Sequence, residues 1–87
     1  MFVTDELIEQ QKKIFAYTDF AEKLHIKLFY ERNKKFQSEY EKNENELSII
    51  KTEIKLNKVM ATLDFLLSEH QDSIKFYISL SNKEQNE

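Results

Sequence analysis

The sequence predicts an all-α protein, and three of its features indicate this class. The chain contains no Gly and no Pro among its 87 residues, and tight turns and hairpin-built sheets depend on these two residue types. Apolar residues recur at alternating intervals of four and three over residues 56–81, a spacing that lines one face of a helix. Acidic residues also precede basic ones by four positions, as at Glu9 and Lys13, and this order stabilises a helix.

The first predicted helix extends from about residue 5 to residue 42. Thr4 is a plausible N-cap, and Asp5 and Glu6 after it carry the negative charge that a helix N-terminus favours. Six residues at helical spacing form one apolar face: Leu7, Ile14, Tyr17, Ala21, Leu24 and Leu28. A neighbouring apolar column follows at seven-residue spacing and consists of Ile8, Phe15, Phe29 and Phe36, with Glu22 as its polar gap.

A turn is predicted at residues 43–45. Asn43 and Asn45 tolerate the left-handed backbone conformation in which many helices end. Asn43 and Glu46 also have the spacing of a capping box at the start of the next helix. The sequence therefore predicts that the chain reverses direction at these asparagines.

The second predicted helix extends from about residue 46 to residue 81, and residues 82–87 are expected to form a frayed tail. Its main apolar stripe consists of Leu56, Met60, Leu63, Leu67, His70, Ile74, Tyr77 and Ser81. A second apolar face lies nearly opposite and consists of Leu47, Ile50, Ile54, Ala61 and Phe65. A partner helix in the same chain covers only one of these faces, so the other is expected to contact a further surface.

The predicted architecture is a single domain, residues 1–87, folded as a long antiparallel helical hairpin that dimerises into a four-helix bundle. A continuous coiled coil is an alternative, because Tyr40, Leu47 and Ile54 keep seven-residue spacing through the predicted turn. A three-helix bundle is another, because the apolar register slips near residues 28–29 and 54–56. Apolar residues also alternate over residues 74–80 as in a strand, but the chain offers no comparable second strand.

The residue types that catalysis and cofactor binding require are missing or poorly spaced. Without Gly there is no phosphate-cradling loop, and without Cys there is no thiolate nucleophile, disulfide or Cys-based zinc site. Glu22 and His25 have the i, i+3 spacing of carboxylate-bridged metal sites, but such a site needs a second motif of this kind. We therefore expect no enzymatic activity, no catalytic residue, no cofactor and no bound metal.

Two further patterns have simple structural interpretations. His70 occupies a position in the apolar stripe, where a single polar residue commonly sets the helix register. Four basic residues alternate with aromatic ones between Lys27 and Phe36, a combination that can bind single-stranded nucleic acid. Acidic residues separate them, however, and the net charge of the chain is −3, so nucleic acid is an unlikely partner.

The sequence thus predicts a non-enzymatic protein–protein interaction module: an assembly subunit, an adaptor or a scaffold. Its partner is expected to be another protein, a second copy of the chain, or both. Asp at position 54 is expected to disrupt association more than helicity. The candidate interaction face consists of Leu47, Ile50, Ile54, Phe65, Phe29, Phe36 and Tyr40. No membrane contact is expected, because the apolar runs are far too short to span a bilayer, and the absence of Cys favours a cytoplasmic location.

Two alternative functions remain at this stage. The first is a small phage- or plasmid-type inhibitor or regulator that binds and blocks another protein. The second follows from Phe15-x-x-x-Asp19, which resembles the Phe-x-x-x-Asp motif of targeting factors that escort toxins through bacterial secretion systems. That resemblance implies a secretion-targeting role for Phe15 and Asp19. Small secreted helical hairpins of related systems place Trp-x-Gly at the turn, and the chain has neither residue.

Overall fold

The protein folds as a hairpin of two long helices. A computed structural model describes the backbone of residues 2–85 and the side chains of residues 5–83. Helix α1 spans Phe2–Arg32 and helix α2 spans Glu39–Gln85. The two pack against each other in a rod of 73 × 16 × 15 Å, and the described residues contain no strand. The all-α class and the hairpin are confirmed, and residues 74–80 are helical.

The connection between the helices lies at residues 33–38, so the prediction of a turn at residues 43–45 is wrong. Ser38 caps α2, because its Oγ accepts a hydrogen bond from the backbone N–H of Glu41 at 3.2 Å. The Glu41 carboxylate in turn accepts one from the N–H of Gln37 at 3.1 Å. No described residue needs a positive φ, so the connection does not use the left-handed conformation that directed the prediction to Asn43 and Asn45.

The outer ends of both helices also differ from the predicted bounds. Helix α1 begins at Phe2, so Thr4 lies inside the helix and is not its N-cap. Helix α2 continues four residues past the predicted end at residue 81, because Lys83, Glu84 and Gln85 are good helix formers. The predicted frayed tail is therefore helical as far as Gln85, and residues 86–87 lie outside the described residues.

The helices meet along a line of residues spaced alternately by three and four, which we call the seam. Its apolar centre is a cluster of Ala21, Leu24, Leu28, Leu56 and Val59, with Ile49 packed against it. Ile14 and Leu63 are also buried. The complete seam consists of Leu7, Gln10, Ile14, Tyr17, Ala21, Leu24, Leu28 and Glu31 of α1 and Asn45, Ile49, Thr52, Leu56, Val59, Leu63, Leu66, His70, Ser73 and Tyr77 of α2.

The predicted apolar face of α1 lies in this seam, but the predicted stripe of α2 is only partly correct. Leu56 and Leu63 are buried as expected. Met60, Leu67 and Ile74 instead lie at the edge, with 37%, 40% and 36% of their surface exposed. Their places in the seam are taken by Val59, Leu66 and Ser73, each one position earlier, and Ser73 accepts a hydrogen bond from Gln10 of α1.

The buried core is small for the length of the rod. Only seven apolar residues are buried among those described, whereas eighteen large apolar side chains are exposed. The described helices contain no apolar stretch sufficient to cross a membrane. The hairpin therefore leaves much of its apolar surface uncovered, and that surface is where a function has to be sought.

Candidate interaction surfaces

A polar cluster closes the seam at the end away from the connection. The Gln10 side chain donates from Nε2 to Ser73 Oγ at 2.9 Å, and its Oε1 lies 2.8 Å from His70 Nδ1. Because an amide oxygen only accepts, His70 must carry a proton on Nδ1. His70 is therefore hydrogen-bonded within its own chain, and three side chains align the helices at this end.

A second polar cluster lies at the other end of the apolar centre, beside the connection. The Ser48 hydroxyl donates to the Glu31 carboxylate, and the Asn45 side chain donates to the backbone carbonyl of Glu31 at 2.6 Å. Thr52 is 2% exposed, and its hydroxyl donates to the Ser48 carbonyl at 2.9 Å. The contacts of Ser48 and Asn45 with Glu31 join α1 to α2 where α1 ends, whereas the Thr52 hydrogen bond lies within α2.

The Glu31 carboxylate is held in its charged form by this cluster. Partial burial raises its pKa, but hydrogen bonding by Ser48 and Thr52 and the positive charges of Lys27 and Lys34 outweigh that effect. The pKa of Glu31 therefore lies below its ordinary value of 4.5. A carboxyl whose pKa is lowered by folding contributes stability that is present above its unfolded pKa and is lost as the pH falls through the folded pKa.

We expect Glu31→Gln to make the stability of the hairpin less dependent on pH between about pH 5 and pH 3. The wild type should lose stability relative to this variant over that interval, because only the wild type must protonate a hydrogen-bonded carboxylate. Urea denaturation followed by circular dichroism at several pH values measures the difference. Glu44→Gln, at an exposed carboxyl of the same region, is the control. Parallel pH profiles for wild type and Glu31→Gln would contradict the assignment.

An apolar surface runs along one flank of the hairpin, on the side where Arg32 Nη2 contacts Glu53 Oε1 at 2.7 Å. Seven-residue steps from Glu53 reach Met60, Leu67 and Ile74. On α1, seven-residue steps back from Arg32 reach Thr18 and Gln11, and Phe15 and Ile8 lie three positions before these two, on the same side but further from the seam. We call this surface the apolar flank. Its six large side chains, with exposed fractions between 36% and 68%, are Ile8, Phe15, Met60, Leu67, Ile74 and Ile78.

Four residues of the predicted interaction face lie together on α2, and each is about half exposed or more. Tyr40, Leu47 and Ile54 are on its outer face, the side turned away from α1, and Ile50 lies beside them at the border with the apolar flank, in the seven-residue column of Ile78. Phe65 is 66% exposed but lies on the flank opposite the apolar flank. Phe29 is exposed on α1, and Phe36 is half-buried in the connection. The predicted face is therefore divided over several surfaces.

Sequence reasoning missed the polar members of the seam. Asn45 and Thr52 come before Leu56 and Leu63 in the seam and follow the same alternation of three and four residues. Both are polar, so a search for apolar residues does not include them. Seven-residue steps back from Val59, taken without regard to polarity, reach both residues. The capping signal Ser38-x-x-Glu41 was also present in the sequence and marks the true start of α2.

Among the described residues, no group of three His, Asp or Glu side chains comes together as a potential metal site. Glu22 and His25 are both exposed on α1. Comparisons of the chain with protein-family models, with curated proteins and with solved structures find no match in any of the three. The proposals below therefore depend on the surfaces of the hairpin alone.

Proposed function

We propose that the protein is a non-enzymatic interaction module, an assembly subunit that dimerises through its apolar flank into a four-helix bundle. The observation that carries this proposal is the excess of exposed over buried apolar residues: eighteen large apolar side chains are exposed and seven apolar residues, including Ala21, are buried among the described residues. Exposed apolar patches of this extent are typical of interaction surfaces in soluble proteins. Burial of such a surface is the main favourable term in most protein association.

The apolar flank has the width and area for a second hairpin. Both helices contribute to it, so a partner surface two helices wide covers it fully. From their exposed fractions, its six large side chains expose roughly 560 Å², taking about 200 Å² for a fully exposed large side chain. Two copies would therefore bury about 1,100 Å² from these side chains alone, just below the range of about 1,200–2,000 Å² for stable protein interfaces, and the polar rim of the contact would add to this area.

The outer face of α2 would remain open in such a bundle. Tyr40, Leu47, Ile50 and Ile54 then form an apolar strip one helix wide, suited to an amphipathic helix of another protein. This second surface supports the adaptor role that the sequence predicts. An inhibitor or regulator would use the same strip, but as a monomer, so the state of the purified chain separates the two functions.

Leu67→Asp is expected to weaken the dimer roughly a hundredfold, because each dimer contains two copies of the change and each places a charge in an apolar contact. Helical content at high concentration should stay close to that of the wild type, because Leu67 lies outside the buried core. Ile54→Asp should leave the dimer intact, since position 54 lies on the outer face of α2. Sedimentation equilibrium with circular dichroism measures both quantities.

The control for this experiment is Ser68→Asp, which introduces the same charge at an exposed neighbouring position. A wild-type chain that stays monomeric at high micromolar concentration would refute the bundle and favour the inhibitor. A dimer that survives Leu67→Asp but dissociates with Ile54→Asp would move the interface to the outer face of α2, as the sequence pattern alone predicted.

A further inference from the structure

The flank opposite the apolar flank carries charges, and we call it the charged flank. Two open grooves mark its course along the hairpin. Near the free end, Glu6 of α1 lines a groove together with Glu69, Asp72 and Phe65 of α2. Near the connection, Lys27 and Lys34 line another groove, together with Ser48 and the carboxylates of Glu31, Glu41 and Glu44. Residues seven apart in each helix continue the same flank between these grooves.

Positive and negative charges are separated along the charged flank. On α2, Lys55 and Lys58 are followed seven residues later by Thr62 and Phe65, and seven residues later again by Glu69 and Asp72. We call the end of the flank near Lys55 and Lys58 the lysine end, and the end near Glu69 and Asp72 the acidic end. On α1, helical spacing places Lys27 at the lysine end and Glu6 at the acidic end. Lys55 and Lys58 make no ion pair with any side chain among residues 5–83. Like charges held side by side in this way repel each other unless opposite charges are brought to them.

The two charged ends are placed symmetrically about an aromatic centre. Lys55 lies four helical turns from Glu69, about 21 Å along α2 at 1.5 Å per residue. Phe65, which is 66% exposed, lies between the two pairs. On α1, Phe20 is 43% exposed and lines a small apolar groove with Ala16 and Tyr17. Rotating the flank by half a turn about this centre exchanges its lysine end with its acidic end.

We propose that a second copy of the chain docks antiparallel on the charged flank, about a two-fold axis near Phe65. Lys55 and Lys58 of each copy then lie against Glu69 and Asp72 of the other. A nucleic acid would be repelled by the acidic end, and an acidic peptide would satisfy the lysines alone, whereas the same flank of a second copy satisfies both ends. On α1 this separation of charge is less complete than on α2, because helical spacing places Lys13 near the acidic end.

This contact rests on the proposed function and extends it. The apolar flank joins two hairpins into a bundle, and the charged flank then joins one bundle to the next. A subunit with self-complementary contacts on two opposite sides forms a growing chain rather than a closed dimer. The aromatic centre supplies most of the binding energy, because exposed ion pairs contribute little. The charges set the antiparallel direction and make the contact sensitive to salt.

The test uses two charge-reversed variants of the full chain. The acidic variant combines Lys55→Glu with Lys58→Glu, and the basic variant combines Glu69→Lys with Asp72→Lys. Each places like charges against each other in its own antiparallel contact, whereas a 1:1 mixture places opposite charges together at both ends. Lys12→Glu combined with Lys75→Glu is the control, because it changes the net charge as much as the acidic variant does, at exposed positions on the outward faces of the helices.

Sedimentation velocity of the wild type should reveal species larger than a dimer at about 0.05 M salt and mainly dimer at about 0.5 M, where charge screening is strong. At low salt, the acidic variant alone and the basic variant alone should each form dimers but no larger species. Their 1:1 mixture should again form the larger species, and the control variant should behave as the wild type. Circular dichroism confirms that every variant is folded.

Two results would overturn the charged-flank contact: larger species formed by each variant alone, or a mixture that fails to restore them. A wild-type chain that is dimeric at both salt concentrations would overturn it too, while leaving the four-helix bundle intact. If instead salt and charge reversal convert a dimer into a monomer, the charged-flank contact stands and the apolar-flank bundle fails. A monomer under all conditions refutes both proposals.

Discussion

Leu63→Asp is expected to unfold the hairpin in dilute buffer. Leu63 is 8% exposed and lies in the seam, so the substitution places a carboxylate where water is largely excluded. Losing the leucine alone costs about 2–5 kcal/mol, and burying a polar group without a partner adds several kcal/mol more. A small domain has about 5–15 kcal/mol of stability in total, and this one has only seven buried apolar residues among those described.

Circular dichroism at 25 °C should show loss of most of the helical signal for Leu63→Asp and no cooperative transition in urea. Asn57→Asp adds the same charge at an exposed position of α2 and should remain helical. Leu63→Met conserves volume and should cost less than about 1.5 kcal/mol. A folded, cooperative Leu63→Asp variant would mean that the seam is not the core of the molecule.

Gln10→Ala is expected to destabilise the hairpin by about 1–3 kcal/mol, the cost of leaving partly buried polar groups unpaired. The substitution removes the partner of both His70 Nδ1 and the Ser73 hydroxyl. The midpoint of urea denaturation should fall. The slope of the unfolding free energy against urea concentration should stay the same, because the folded and unfolded states keep their compactness. A change in the free energy of unfolding below about 0.3 kcal/mol would show that the Gln10–His70–Ser73 cluster does not stabilise the folded hairpin.

A combined substitution separates stability from alignment in the same cluster. Replacing all three members by Gln10→Leu, His70→Leu and Ser73→Ala should restore or exceed wild-type stability, because an apolar layer avoids desolvating polar groups. The unique register of the two helices should then weaken, since the Tyr77 hydroxyl to Glu6 carboxylate contact would remain as the one cross-helix side-chain hydrogen bond near this end among residues 5–83. More than one set of amide resonances in the NMR spectrum would reveal this loss.

The helical class followed directly from composition, and the apolar face of α1 followed from its spacing. The rotation of α2 about its axis did not follow from the sequence, because Asn45 and Ser73 lie in the seam as polar residues that hydrogen-bond to Glu31 and Gln10 of α1. A pattern built on apolar residues therefore chose Met60, Leu67 and Ile74, each one position away from the seam. The connection was misplaced for a related reason, since Ser38 and Glu41 close it through side-chain caps without any left-handed residue.

The excess of apolar surface could be predicted from the sequence, but its division into separate surfaces could not. Phe65 and Ile54 were assigned to one face because both lie away from the main stripe of α2. Only the position of α1 shows that Ile54 faces outward while Phe65 borders an acidic groove with Glu6. The charged flank likewise combines lysines and carboxylates from two helices, so no single stretch of sequence contains it.

The strict seven-residue repeat of the seam also affects the shape of any partner. Seven residues fall about 20° short of two full turns of an ideal α-helix, so a strip that repeats every seven residues winds slowly around the axis in a left-handed sense. Helices that keep such a strip in contact bend around each other, and the surfaces beside it follow the same curve. A flat, rigid partner would then touch the rod over only a few turns, whereas another curved helix of the same repeat can follow it along its length.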